Sequence, residues 1–211
     1  RVGFNTINMD LIYALPGQAG DDVKGNIELA SMMPINHVSM YGLQLEEGTY
    51  LNTLVKRGDM ILPDDDMADA MYDAMIEGLT NRGLERYEIS NFAKDNHYSR
   101  HNLRYWLYQE YIGFGAGASS FYDNCRFTNI RNVVPYMNTI KKDCLPDELV
   151  EDINQQRSME DFCFLGLRTK WGIQEAVFQS RFGSSLLNHF GSTIKCLLIQ
   201  GLLHPVDGGY A

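Results

Sequence analysis

The stretch Ile7-Asn8-Met9-Asp10-Leu11-Ile12-Tyr13-Ala14-Leu15-Pro16-Gly17-Gln18 constrains the fold more than any other part of the chain. It is an apolar run carrying one acidic residue and broken at Pro16-Gly17, and a helical pattern opens just beyond it at Gly20-Asp21-Asp22. That order reads as a buried parallel strand over residues 1–13, its C-terminal loop, and the first turn of a helix. A carboxylate in such a run is costly to bury unless it has a partner or stands at the solvent end of the strand. Ligands of α/β sheets bind at the carboxyl ends of the strands. Asp10 is therefore the first candidate for a functional residue.

The alternation continues downstream. Asp21 or Asp22 is placed to cap a helix whose apolar positions Val23, Ile27 and Ala30 run up to Pro34. His37–Leu43 reads as a second strand, so strand, helix and strand make a right-handed parallel βαβ unit. Leu62-Pro63-Asp64-Asp65-Asp66 has the look of a metal loop but reads as a helix start, with carboxylates near the positive end of the dipole. The helix that follows carries one apolar stripe from Ala68 through Met71, Tyr72, Met75 and Ile76 to Leu79, and Gly83 sits where a C-cap belongs. Leu84–Ser90 supplies a third strand of the parallel sheet. Three strands leave open edges, and the missing ones are expected before Arg1.

Residues 94–131 show no regular period. They hold Lys94, His97, Arg100, His101, Arg104, Arg126 and Arg131, interleaved with Tyr98, Tyr105, Trp106, Tyr108 and Tyr111. Such a cluster is either a surface loop packed by its own aromatics or one pocket for a flat anionic ligand. Gly113-Phe114-Gly115-Ala116-Gly117-Ala118 reads as tight backbone packing at a strand end rather than a phosphate loop. Lys141–Glu148 reads as a linker. Three short helical patterns follow, through Phe162–Leu167, Ala176–Phe178 and Leu187–Leu198, the last ending before Gly201. Three helices and a strand also suit a winged helix, but the acidic balance argues against DNA binding.

The chain has 211 residues and a formal net charge of −9, which disfavours a general nucleic-acid binder. No apolar run approaches the roughly 20 residues of a membrane helix, and Arg1-Val2-Gly3-Phe4-Asn5 does not form a signal peptide. A cytoplasmic location is expected. Cys125, Cys144, Cys163 and Cys196 are spread out, with no C-x-x-C or C-x-x-x-C-x-x-C spacing. They read as four reduced, mostly buried thiols.

Four blocks in order carry a family resemblance. Met9–Gln18, Tyr87-Glu88-Ile89-Ser90-Asn91-Phe92-Ala93, His101-Asn102-Leu103-Arg104-Tyr105-Trp106 and Gly113–Ala118 resemble the D-L-I-Y-G-L-P-x-Q, Y-E-I-S-N-F-A, H-N-x-x-Y-W and G-x-G-x-G-A blocks of the oxygen-independent coproporphyrinogen III oxidase-like radical SAM proteins. Ala14 stands where the family usually has Gly, Ala116 where it has Pro, and Ser119 where it often has His. The resemblance implies an α/β fold: the C-terminal half of a radical SAM partial (β/α) barrel over residues 1–142, then a small, mostly helical domain over 143–211. It implies that Asp10 contacts the ribose of S-adenosylmethionine and that the strand from His37 to Leu43 borders the adenine pocket. The family's three cluster cysteines are not in this sequence, so no 4Fe–4S ligand and no catalytic residue is assigned to it. Alone it is expected to be inactive, as the C-terminal portion of a longer protein.

The H-N-x-x-Y-W block is associated with the haem-chaperone branch. It implies His101 as a haem iron ligand and Arg104 as a propionate partner, with Tyr105 and Trp106 beside them. Three functions stay open on this reading: a haem-binding chaperone, a coproporphyrinogen III dehydrogenase that decarboxylates its substrate to protoporphyrinogen IX, and a non-catalytic α/β interaction fragment. The partner expected is haem or another porphyrin, not a nucleic acid.

Overall fold

The computed structural model describes residues 3–211, which divide by contact into two compact units, one up to Tyr98 and one from Ser99 to Ala211. Of the first expected strand, residues 1–2 lie outside the described residues. The first unit runs β1 (Asn8–Tyr13), α1 (Gly20–Met32), β2 (His37–Gly42), α2 (Tyr50–Arg57), α3 (Asp65–Thr80), β3 (Glu85–Arg86) and β4 (Asn91–Ala93). The strands form one sheet in the order β1-β2-β4-β3. β1 and β2 are parallel in register from Asn8 opposite His37 to Tyr13 opposite Gly42, as the strand–helix–strand reading requires.

Local chemistry sets the element ends. Ala19 is the N-cap of α1, and the Asp22 carboxylate accepts its backbone N–H at 2.8 Å, half of a capping box. Met33 is extended at ψ 150 because Pro34 follows it. Asp64 caps α3 by accepting the Met67 N–H at 2.9 Å. Gly83, left-handed at φ 77, turns the chain after α3 so that the Leu84 N–H returns to the Leu79 carbonyl. Met71, Met75 and Leu79 of α3 pack with Val23, Ile27 and Ala30 of α1 over Val38, Met40 and Phe92. Gly78 makes this close: a Cβ there would stand 2.7 Å from Ile27 Cδ1.

Two expectations change here. The segment 84–90 is not a third parallel strand: it gives the two-residue β3 and a turn, and β4 then pairs antiparallel with β2. The turn is held by the buried Glu88 carboxylate, which accepts the Ser90 N–H at 2.8 Å and the Asn91 side-chain amide. Nor is β1 buried on both faces. It alternates: Met9, Leu11 and Tyr13 are half-buried, while Asn8, Asp10 and Ile12 stand exposed on the other face.

The second unit runs α4 (Arg100–Trp106), β5 (Ser119–Tyr122), β6 (Cys125–Asn129), α5 (Val133–Ile140), β7 (Asp147–Asp152), α6 (Gln155–Gly166), β8 (Ile173–Gln174), α7 (Glu175–Phe182), α8 (Leu186–Ile199), β9 (Pro205–Val206) and β10 (Gly209–Tyr210). The span read as aperiodic thus holds a helix and a hairpin. β5 and β6 are joined by Asp123 and Asn124 at φ 50 and 55, both in the left-handed region that a tight two-residue hairpin demands. The boundary expected at 142/143 lies inside this unit: β7 follows it and pairs with β6, which precedes it. Part of the expected linker is accordingly strand. Helices α6, α7 and α8 coincide with the three helical patterns, joined by the small antiparallel sheet β8-β10-β9. Phe178 is fully buried, with the rings of Phe162, Phe182 and Phe190 around it. The cysteines are free, but none is buried: Cys144 and Cys196 are exposed, and Cys125 and Cys163 are half-buried.

Candidate functional site

α4 is capped by Ser99, whose hydroxyl accepts the Asn102 N–H at 3.2 Å. Four residues of helix place His101 and Tyr105 on one face. The Tyr105 hydroxyl lies 3.0 Å from His101 Nε2, and the two rings meet edge to face with centroids 5.0 Å apart. Tyr105 is itself set edge-on against Tyr111 at 4.6 Å. Burial and the neighbouring Tyr105 push the Tyr111 phenol above its ordinary pKa. A groove of about 530 Å³ opens along this wall, lined among others by His101, Arg104, Tyr105, Glu110, Tyr111 and Phe114. Arg104 and His101 are exposed in it; the Arg104 guanidinium reaches the Glu110 carbonyl at 3.4 Å. Phe114 stands 89% exposed on its margin. Aromatic faces, a solvent-exposed imidazole and a guanidinium suit a flat ligand with an anionic substituent.

The sequence cluster does not all converge on this groove. Trp106 points elsewhere: the Arg168 guanidinium lies 5.8 Å from its ring centroid and 3.9 Å from that of Phe164. It lines a separate crevice of about 220 Å³ with Phe162 and Trp171. Tyr108 is a core residue under Arg181. Arg126 is committed to Asp161 at 2.7 Å. Lys94, His97 and Tyr98 belong to the first unit. Tyr111 joins the groove as the aromatic cluster suggested, whereas Glu110 and Phe114 enter it unforeseen. Only the turn after α4 brings them there, and no spacing in the sequence announces it.

In the first unit the open face of the sheet carries a polar cluster beside the exposed Ile12. Asp10 accepts a hydrogen bond from Asn8 Nδ2 at 2.6 Å, and the same nitrogen lies 3.0 Å from Ser39 Oγ. Because a carboxylate only accepts, the Asn8 amide nitrogen must face Asp10 and its oxygen must face His37 Nδ1, at 2.7 Å. His37 Nδ1 therefore donates, and Nε2 takes the Tyr87 hydroxyl at 2.8 Å. Burial lowers the His37 pKa, against a smaller upward pull from Asp10. Asp10 is the third residue of six in β1 rather than its end, but it faces the open side with an oxygen beyond the Asn8 contact. This suits an acceptor for ligand hydroxyls. Asn8 escaped the sequence reading, although two residues from Asp10 it had to share its face, and His37 entered it only as the first residue of a strand. Among the described residues no three His, Cys, Asp or Glu side chains stand close enough to hold a metal ion.

No protein-family model matches the chain. It is 34% identical over 204 residues, 97% of its length, to the "Heme chaperone HemW" of Bacillus subtilis (strain 168). It is 35% identical over 217 aligned residues to the protein of the same name from Lactococcus lactis subsp. lactis (strain IL1403). It spans 54% and 57% of these relatives, about half their length. A 112-residue stretch is 38% identical to "Radical S-adenosyl methionine domain-containing protein 1, mitochondrial" of Danio rerio. Among solved structures, that titled "Coproporphyrinogen III oxidase (HemN) from Escherichia coli is a Radical SAM enzyme" superposes on 99% of this chain and 51% of its own, with a TM-score of 0.77 at 15% identity. No helix among the described residues is long and apolar enough to cross a membrane. The four ordered sequence blocks, the parallel β1-α1-β2 unit with Asp10 on its open face, and these likenesses agree, and the chain belongs to the oxygen-independent coproporphyrinogen III oxidase-like radical SAM family.

Proposed function

We propose that the chain is the haem-holding part of a haem chaperone built on a radical SAM fold. The observation that carries this is His101, exposed in an aromatic groove with Arg104 beside it. A neutral imidazole is a good ligand for haem iron, and a guanidinium pairs well with a propionate. The relatives named as haem chaperones support the reading. The test is a parallel haem titration of the wild-type chain and His101→Ala. Wild type is expected to give a Soret band that His101→Ala shifts, and Arg104→Ala is expected to weaken binding with little spectral change. Identical spectra for wild type and His101→Ala would sink the ligand assignment. Turnover of coproporphyrinogen III by the complete protein, with no role for His101, would favour the decarboxylating reading instead.

In the complete protein the same reading has S-adenosylmethionine and a 4Fe–4S cluster at work, supplying one-electron chemistry. Asp10 is the residue here proposed for the ribose hydroxyls, the two acceptor oxygens of an ionised carboxylate matching two donors. In that protein Asp10→Asn is expected to weaken S-adenosylmethionine binding by about 1.5–3 kcal/mol, the worth of hydrogen bonds to a charged group, with the melting temperature kept. Unchanged binding with a lowered melting temperature would make Asp10 a structural group. Four unpaired thiols fit a reducing compartment such as the cytoplasm.

A further inference from the structure

We infer that Tyr105 is a latch on His101, lowering haem affinity so that bound haem is given up readily. The inference rests on His101 being the iron ligand. An imidazole offers iron one lone pair, on whichever ring nitrogen carries no proton. Nδ1 adjoins the ring carbon that bears Cβ, and a planar macrocycle approaching Nδ1 collides with that branch. Nε2 has no such neighbour, so Nε2 is the nitrogen that ligates. In this chain Nε2 is already taken, 3.0 Å from the Tyr105 hydroxyl. In the tautomer iron requires, with the proton on Nδ1, the Tyr105 O–H donates into the Nε2 lone pair. Iron and the phenol proton thus compete for one pair of electrons.

Two features hold the latch closed in the absence of ligand. The (i, i+4) spacing on α4 fixes both side chains over one turn. The edge contact of Tyr105 with Tyr111, at 4.6 Å and 86°, braces the phenol against the groove wall. Ligand binding must break the hydrogen bond and turn the Tyr105 hydroxyl to solvent or to a ligand substituent. A carrier needs this weakening, because a haem bound as tightly as the groove allows would not be handed on.

The experiment is a haem titration of wild type, Tyr105→Phe and His101→Ala, with the rate of haem loss to apomyoglobin measured on each. Tyr105→Phe keeps the ring and its contact with Tyr111 and removes only the competing proton. It is expected to bind haem roughly two- to tenfold more tightly, the worth of one net hydrogen bond. It should release haem more slowly by a similar factor, with the wild-type Soret position retained. Unchanged or weaker binding by Tyr105→Phe, while His101→Ala still loses the ligand spectrum, overturns the latch and leaves the haem reading standing. A His101→Ala spectrum identical to wild type overturns both. A Tyr105→Phe spectrum that changes like that of His101→Ala makes Tyr105 a ligand and also overturns the latch.

Discussion

His37 shows how one buried side chain ties a strand register to pH. It is 4% exposed, and both ring nitrogens are used: Nδ1 gives its proton to Asn8 and Nε2 accepts from Tyr87. A second proton on Nε2 would face the Tyr87 oxygen, which must then turn its own hydrogen elsewhere, in a buried site. Burial therefore depresses the pKa below the ordinary 6.5, and Asp10 only partly offsets it. The sign follows from linkage: above about pH 6.5 neither state protonates the ring, while below it the unfolded chain takes up a proton that the folded one resists. Stability is then present above pH 6.5 and lost as pH falls through the depressed value. Urea unfolding of wild type and His37→Gln at pH 7.5 and 5.5 should show wild type losing more across that interval. Equal losses in the two proteins would place the pH dependence elsewhere.

At the scale of elements, the turn after β1 carries a cost that the sequence already advertised. Ala14, standing where the family usually has Gly, adopts φ 58. A Cβ in that region meets the following carbonyl oxygen, at about 1–2 kcal/mol, from which the greater freedom of an unfolded glycine subtracts part. Ala14→Gly should therefore stabilise the first unit by about 0.5–1 kcal/mol, read as a higher denaturation midpoint at unchanged slope. A lower midpoint would show that the alanine methyl makes contacts worth more than the strain. Much else at this scale was legible because it is local. The α3 stripe, the Asp64 cap and the three late helices follow from helical spacing and capping chemistry. What was not legible depends on distant partners. The segment Leu84–Ser90 has strand composition, yet Glu88 satisfies the backbone of a turn there and sends β4 back antiparallel. Asp123-Asn124 is a hairpin signal, but the flanking residues 119–122 and 125–129 alternate too weakly to show as strands without β7 beside them. The candidate site divides in the same way. His101 and Tyr105, four residues apart, meet on one face of α4, whereas Trp106, one residue on, turns away by the same helical arithmetic. Tyr111 arrives only through the loop after α4.

At the scale of the whole chain, the described residues gather into two cores rather than one. The first gathers apolar residues between Val23 and Phe92, the second between Tyr108 and Leu203, and among the described residues none belongs to both. Each unit therefore has its own source of hydrophobic stabilisation, which is the condition for it to unfold as a separate cooperative block. Leu79 and Phe178 are both fully buried, one in each core. Truncating a buried Leu to Ala typically costs 2–5 kcal/mol and a buried Phe 3–5 kcal/mol, since each leaves a cavity that neighbours refill only in part. Leu79→Ala should thus speed amide hydrogen exchange through α1, α3 and β2 while α6, α7 and α8 keep their protection. Phe178→Ala should do the reverse. His101 lies in the second unit and Asp10 in the first, so the two substitutions also separate the proposed sites: haem titration should suffer in Phe178→Ala and survive in Leu79→Ala. Were either substitution to remove protection from both blocks equally, the chain would unfold as one cooperative unit despite its two cores.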